Sequence, residues 1–255
     1  MIPIKDNIPS DRFPFATLAL IVANVVVYLL TIGHGGSLLS GPDAGEVARH
    51  GAIPYALTHL DRHCGLVHAV IACPGPGTVP TWPTLFSSMF MHASILHLAG
   101  NMLFLWIFAN NVERAMGPVK LIVFYIAAGL AALALQVALH PSSTAPTIGA
   151  AGAIAGVLGG YILLYPRARV LTLVLIPFFS TVIELPALLM LGAWFAMQAL
   201  FGAVGLTDPL GGGGAVAYFA HVGGFLFGLV AIRLLVSRRT GMPPGDAGTP
   251  PTAAS

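Results

Sequence analysis

Four polar side chains stand in or beside long apolar stretches of this chain, and their types are those of acyl-transfer chemistry: His92, His97, Asn101 and His221. A histidine can take the proton of a nucleophile, and histidine or asparagine N–H groups can meet the charge that develops on a carbonyl oxygen. The run Thr147-Ile148-Gly149-Ala150-Ala151-Gly152-Ala153-Ile154-Ala155-Gly156 supplies the third element, because small residues let a backbone turn sharply just before a hydrophobic helix. A nucleophile presented on that turn would stand at position 151, with Gly149 and Gly152 giving it room. Position 151 is alanine, whose methyl group has no proton to give and forms no acyl-enzyme. Ser142, Ser143, Thr144 and Thr147 precede the helix and are poorly placed to substitute. Each feature also has a plain reading: a lone intramembrane histidine is a hydrogen-bonding residue, and Gly/Ala runs, including Gly224-x-x-x-Gly228, are helix-packing surfaces.

The elements that must position these groups are membrane spans. Apolar residues make up 56% of the chain and charged residues 8%, which is far from soluble composition. With a net charge of +2 and no dense Lys/Arg cluster, nucleic-acid binding has no electrostatic footprint. Stretches long enough to cross roughly 30 Å of hydrocarbon as helices fall near 14–33, 94–112, 119–139, 149–165, 183–203 and 215–236. The expected fold is therefore an all-α polytopic membrane protein with six transmembrane helices and a long loop after the first. A segment 1–13 precedes the membrane domain 14–236, and a polar, Pro/Gly-rich tail, 237–255, is expected to be disordered.

Lys5 and Arg12, Arg114 and Lys120, Arg167 and Arg169, and Arg233, Arg238 and Arg239 mark one side of the membrane, while the connections near 140–148 and 204–214 carry no Lys or Arg. The positive-inside rule makes both termini cytoplasmic, in a multi-pass protein of the cell membrane. This topology places His97 and Asn101, one turn apart, in the outer half of the second span. Position 151 falls at the outer end of the fourth span, and His221 about two turns, or roughly 9 Å, into the sixth. All lie at similar depth and can converge on one water-accessible cavity.

The outer loop, about 34–93, holds both cysteines. A Cys64–Cys73 disulfide fits an oxidising compartment; a zinc site with His59, His63 and His68, and free thiols, are the alternatives. Trp82 to Met91 is amphipathic and suits the bilayer interface. Val170 to Phe179 is apolar but broken by Pro177 and followed by Glu184, which suits either an interfacial hairpin or an extension of the fourth helix.

The spacing His92-x-x-x-x-His97-x-x-x-Asn101, the turn Gly149-x-x-Gly152 and Ala217-x-x-x-His221-x-x-Gly224-x-x-x-Gly228 occur in this order on the second, fourth and sixth spans. Together with Asn111-Val112-Glu113-Arg114-Ala115-Met116-Gly117 they resemble the rhomboid intramembrane serine proteases over about residues 1–236. The resemblance implies a rhomboid-like six-helix bundle that cuts transmembrane protein substrates near the membrane surface with a Ser–His dyad, without metal or cofactor. By matching position it makes His221 the general base and His97 with Asn101 the oxyanion side chains. His92 becomes a supporting histidine, and the backbone N–H at 151 a further oxyanion donor.

Two departures stand out. Ala155 replaces an aromatic that in some members stacks on the dyad histidine, and Ala151 replaces the serine of the family's Gly-x-Ser-Gly. Either a catalytic serine has been exchanged, as is done to trap an inactive protease, or the chain is a pseudoprotease that binds or sorts membrane proteins without cutting them. A small transporter or channel is a third class suggested by intramembrane His and Asn, but no paired broken helices support it. Substrate, cut site and oligomeric state are not encoded in any of these features.

Overall fold

The computed structural model describes residues 2–9, 12–60, 64–67, 70–73, 82–176, 179–206 and 217–236. In chain order these form β1 (Ile2–Asp6), α1 (Phe15–Ile32), α2 (Ala44–His50), α3 (Pro54–Thr58), β2 (Gly65–Val67), β3 (Val70–Ala72), α4 (Thr84–Ser87) and α5 (Ile95–Phe104). A π-helical turn, Leu105–Ala109, leads into α6 (Asn110–Met116). The rest are α7 (Pro118–Leu139), α8 (Ala151–Leu164), β4 (Arg169–Ile176), β5 (Phe179–Pro186), α9 (Ala187–Leu206) and α10 (Tyr218–Leu235).

Among the described residues, five helices are long and apolar enough to cross a bilayer: α1, the continuous Ile95–Met116, α7, α9 and α10. Their 18 to 22 residues correspond to roughly 27–33 Å of helix, the hydrocarbon thickness. Helices are the form such segments must take, because lipid offers their N–H and C=O groups no partner. The protein is a polytopic helical membrane protein. Its fifth span begins at Ala187 rather than near 183, because Ile183 to Pro186 pair in β5. The 237–255 tail and the 204–214 connection beyond Leu206 lie outside the described residues.

The short helix α8 is the centre of the bundle. It has 14 residues, roughly 21 Å, and every residue from Gly152 to Ile162 is buried. A helix apolar on all sides and buried on all sides belongs inside the protein rather than against lipid. Its contacts are backbone to backbone. A β-carbon on Gly224 would run into the Gly152 carbonyl, one on Gly228 into the Gly156 backbone, and one on Gly159 into the Phe225 carbonyl. Across the other face, β-carbons on Gly152 and Gly156 would strike Ala132 and Ala128 of α7. Without a hydrophobic drive between helices in lipid, such close approach of small residues is what holds them together.

At the end of the bundle remote from Ala151, Val170 to Ile176 and Phe179 are strand residues of an antiparallel pair rather than a helical extension. Strands β4 and β5 pair antiparallel from Arg169↔Pro186 to Ile176↔Phe179, and β1 adds to the β4 edge with Ile2 opposite Leu173. Glu184 is exposed and pairs with Arg169 at 3.8 Å, so it needs no buried partner. The segment Asn111 to Gly117 clamps the N-terminal residues here. Asn111 Nδ2 and Tyr161 Oη both donate to the buried Asp6 carboxylate at 2.6 Å. Glu113 accepts from the Ala16 and Thr17 N–H groups and the Thr17 hydroxyl at 2.8–3.0 Å, satisfying the open start of α1. Burial pushes the Asp6 carboxyl above its usual range, against the opposing pull of the Tyr161 and Asn111 bonds.

The α8–α10 contact has a direct test. Gly228→Val is expected to lower stability in detergent by about 1–3 kcal/mol or more through overpacking against backbone. Gly192→Ala, at a position with nothing within 4 Å of the added carbon, is expected to be neutral or slightly stabilising. A Gly228→Val protein as stable as its parent would contradict the packing described.

Candidate active site

Helix α8 starts where Gly149 turns the chain with φ +122°, a conformation that L side chains rarely adopt. Ala150 caps the helix without a side-chain bond, and Ala151 is its first residue. Ala151 is partly exposed although the residues after it are buried, so position 151 faces the open end of the packed core. The first N–H groups of a helix have no partner within it. These point out of the start of α8, at the position where the sequence expects a reacting carbonyl.

His97 and Asn101 flank this turn from α5. A β-carbon on Gly149 would lie 2.8 Å from Cε1 and 3.0 Å from Nε2 of His97, and 3.9 Å from Nδ2 of Asn101. Glycine is thus required at 149 twice over, by the dihedral and by the imidazole pressed against it. Asn101 is buried, and its Nδ2 has no hydrogen-bond partner. A buried amide donor without an acceptor is costly, and this one sits beside the turn that ends in Ala151.

His221 reaches the same place from the first turns of α10. The side-chain oxygen of Gln136 on α7 accepts from the Ala220 N–H at 3.2 Å, which fixes the start of this helix. The imidazole Nδ1 of His221 is 3.0 Å from Gln198 Oε1 on α9, and the Trp194 indole lies beside the ring, with centroids 5.7 Å apart and planes tilted by 32°. Helices α8 and α10 start at this end and run side by side, Gly152 abutting Ala220 and Gly156 abutting Gly224. His221 therefore lies level with Ala151. The structure brings His97, Asn101, Gly149, Ala151, Gly152 and His221 into one site.

His92 supports His97 from behind. It is fully buried, its Nδ1 is 3.2 Å from the Phe90 carbonyl, and its ring meets His97 edge-on at 5.1 Å. Since a carbonyl only accepts, Nδ1 carries the proton, which leaves the unpartnered Nε2 as an acceptor.

The long first loop holds the turn in place. Ala52 and Thr147 exchange both backbone hydrogen bonds, at 3.1 and 2.7 Å, and the Tyr55 N–H donates to the Ser143 carbonyl at 2.9 Å. From the amphipathic stretch, the Ser88 carbonyl accepts from the Gly149 N–H at 2.9 Å. Trp82 stays exposed, as an interfacial residue would be. Cys64 and Cys73 are joined as a disulfide, with Cα atoms 4.4 Å apart, across the β2–β3 hairpin. His63 and His68 lie outside the described residues; among the described ones no three His, Cys, Asp or Glu side chains cluster as a metal site would require.

The family described as Rhomboid domain matches residues 80–238, more than half of the chain. The chain belongs to the rhomboid family. Among its relatives, this rhomboid is 30% identical to Rhomboid protein 1, mitochondrial, of Saccharomyces cerevisiae over 58% of the chain and 40% of the yeast protein. It is 28% identical to the human Presenilin-associated rhomboid-like protein, mitochondrial, over 58% of the chain and 36% of that protein. With Rhomboid protease GluP of Bacillus subtilis it shares 38% identity over 31% of the chain and 15% of the relative. The match thus spans well under half the length of these relatives.

Sequence reasoning missed Gln198, Trp194, Gln136 and Ser88 in this rhomboid. The one available signal was polarity: Gln136 and Gln198 are side-chain amides in apolar spans, where an unpaired amide is disfavoured. Ala155 is fully buried, and the ring neighbour of His221 is Trp194 of α9, with centroids 5.7 Å apart.

His92 makes stability depend on pH. Burial first, and the neighbouring His97 second, lower its pKa from 6.5 to about 4. A group depressed in this way contributes stability that is fully present above its unfolded pKa of 6.5 and lost as pH falls toward the folded value of about 4. Unfolding in detergent is expected to show falling stability across that window, and His92→Gln, which cannot charge, a shallower fall. Identical pH profiles for the two proteins would contradict this role.

Proposed function

We propose that this rhomboid is an intramembrane serine endopeptidase scaffold whose nucleophile position is occupied by Ala151. The observation that supports the proposal is the unpaired, buried Asn101 Nδ2 beside the Gly149 turn, with the His221 ring, in the first turns of the neighbouring α10, held by Gln198. With serine at 151, His221 Nε2 would take the hydroxyl proton as the oxygen attacks a peptide carbonyl. Asn101 Nδ2, a His97 ring N–H and the backbone N–H of residue 151 would receive the oxyanion. His221 would then pass its proton to the leaving amine, and water activated by the same ring would release the acyl group. With alanine at 151 none of these steps can start, and the site can only bind. This reaction needs no metal or cofactor. Substrates would be transmembrane segments of other proteins, reaching the site through the bilayer.

A natural pseudoprotease that retains or sorts membrane proteins is the second reading, and Ala151 itself favours it. Cleavage separates the two. Ala151→Ser is expected to cut a single-span test substrate in liposomes, Ala151→Ser with His221→Ala to be inactive, and Asn101→Ala in the Ser background to lose about 10²–10³-fold in kcat. A Ser form that binds a panel of single-span substrates without cutting any would overturn the protease reading.

For orientation, we propose both termini in the cytoplasm and the site toward the outer face of the cell membrane, supported by the Lys and Arg pattern. A C-terminal tag is expected to be cleaved by added protease in inside-out vesicles and protected in right-side-out ones. The reverse pattern would refute the orientation.

A further inference from the structure

Helix α9 places two unlike side chains, Trp194 and Gln198, one turn apart on the face that meets His221. Gln198 is only 7% exposed, although neighbours such as Met197, Leu200 and Phe201 are open to lipid. An amide in a lipid-embedded helix is retained only with a partner, and its Oε1 lies 3.0 Å from His221 Nδ1. An amide oxygen has only lone pairs to offer, so this contact puts the imidazole proton on Nδ1 and the free lone pair on Nε2. Were the amide reversed, its NH₂ group would face Nδ1, the proton would move to Nε2, and a nucleophile at 151 would meet a donor instead of a base. Trp194 lies beside the same ring, centroids 5.7 Å apart and planes tilted by 32°, and this ring contact does not select the tautomer.

We propose that Gln198 is the positioning residue of His221, fixing the Nδ1–H tautomer and aiming Nε2 at position 151 through a single neutral hydrogen bond from α9. Its consequence for turnover rests on the protease reading; the hydrogen bond itself does not. Gln198 would fill, without charge, the orienting place that a carboxylate takes in catalytic triads.

Two arms test the proposal separately. The first uses the Ala151 protein with ¹⁵N-labelled histidine in nanodiscs, where the His221 shifts report which nitrogen is protonated. The parent is expected to show Nδ1–H alone. Gln198→Leu, which keeps the bulk but has no acceptor, is expected to give a mixture of tautomers, and Gln198→Glu, which offers an oxygen in either protonation state, to retain Nδ1–H. In the second arm, in the Ala151→Ser background, Gln198→Leu is expected to lower kcat about 10- to 100-fold with KM little changed, and Gln198→Glu to recover most of the loss. Should the Leu variant not fold, Gln198→Asn shortens the reach by one methylene and is expected to lose the fixed tautomer likewise. A parent spectrum showing Nε2–H, or variants without acceptor that keep the parent tautomer and kcat, would overturn the proposal. If the Ser form is inactive while the tautomer still responds to Gln198→Leu, the protease reading fails and the positioning bond stands.

Discussion

The site depends on how closely α8 and α10 approach one another. Gly224 and Gly228 leave no space for a β-carbon against the Gly152 and Gly156 backbone, so the two helices are fixed in depth and rotation by main chain rather than by adjustable side chains. Position 151 and His221 each begin one of these helices. Their separation is therefore set by backbone contact, which a core of flexible apolar side chains could not hold so tightly. Helix α8 is too short to cross the bilayer unaided and is enclosed by its neighbours. The Gly149 turn that precedes it is held by hydrogen bonds from the long first loop, as irregular backbone within a membrane protein must be.

The two ends of the bundle are secured by different means. At the site end, the long first loop pins the turn with main-chain bonds from Ala52 and Ser88 on either side of Ile148, and the Cys64–Cys73 link closes the hairpin of that loop. At the far end, Glu113 and Asn111 of α6 grip the start of α1 and Asp6 of β1. Each is tied by hydrogen bonds between segments far apart in the chain, which fixes them against one another. Asn101 Nδ2 and His92 Nε2 are among the buried polar atoms without partners, which also include Asn24 Oδ1, Asn111 Oδ1, Tyr125 Oη and His140 Nδ1. Of these, Asn101 Nδ2 is set apart by its place beside the Gly149 turn, where the start of α8 is partly exposed.

Much of this was legible in the sequence, and for definite reasons. The spans announce themselves by apolar length. Once their directions are assigned, His97, Asn101, Ala151 and His221 fall at one depth by arithmetic alone. The segment Asn111 to Gly117 was noticed for its resemblance, but its work as a clamp depends on Asp6 and Ala16, about a hundred residues away, which no local pattern reveals. The three-stranded sheet was hidden for the same reason: Ile2 to Asp6 contains Pro3 and has no strand signature until β4 offers an edge. Gln198 and Trp194 escaped because the rotation of α9 is decided by packing, and an apolar span on its own does not say which face turns inward. The contacts to the His221 ring come from Trp194 and Gln198 of α9, which Ala155 on α8 gave no means of foreseeing.

The central claim is that His97, Asn101 and His221 form a working acyl-transfer site lacking only a hydroxyl. Mass spectrometry of the intact Ala151→Ser protein after treatment with a fluorophosphonate tests it without any choice of substrate. The account expects one phosphonyl adduct, on the serine at 151, that disappears when His221→Ala is added. An Ala151→Ser protein that stays folded yet takes no adduct at 151, or takes it equally without His221, would contradict the account.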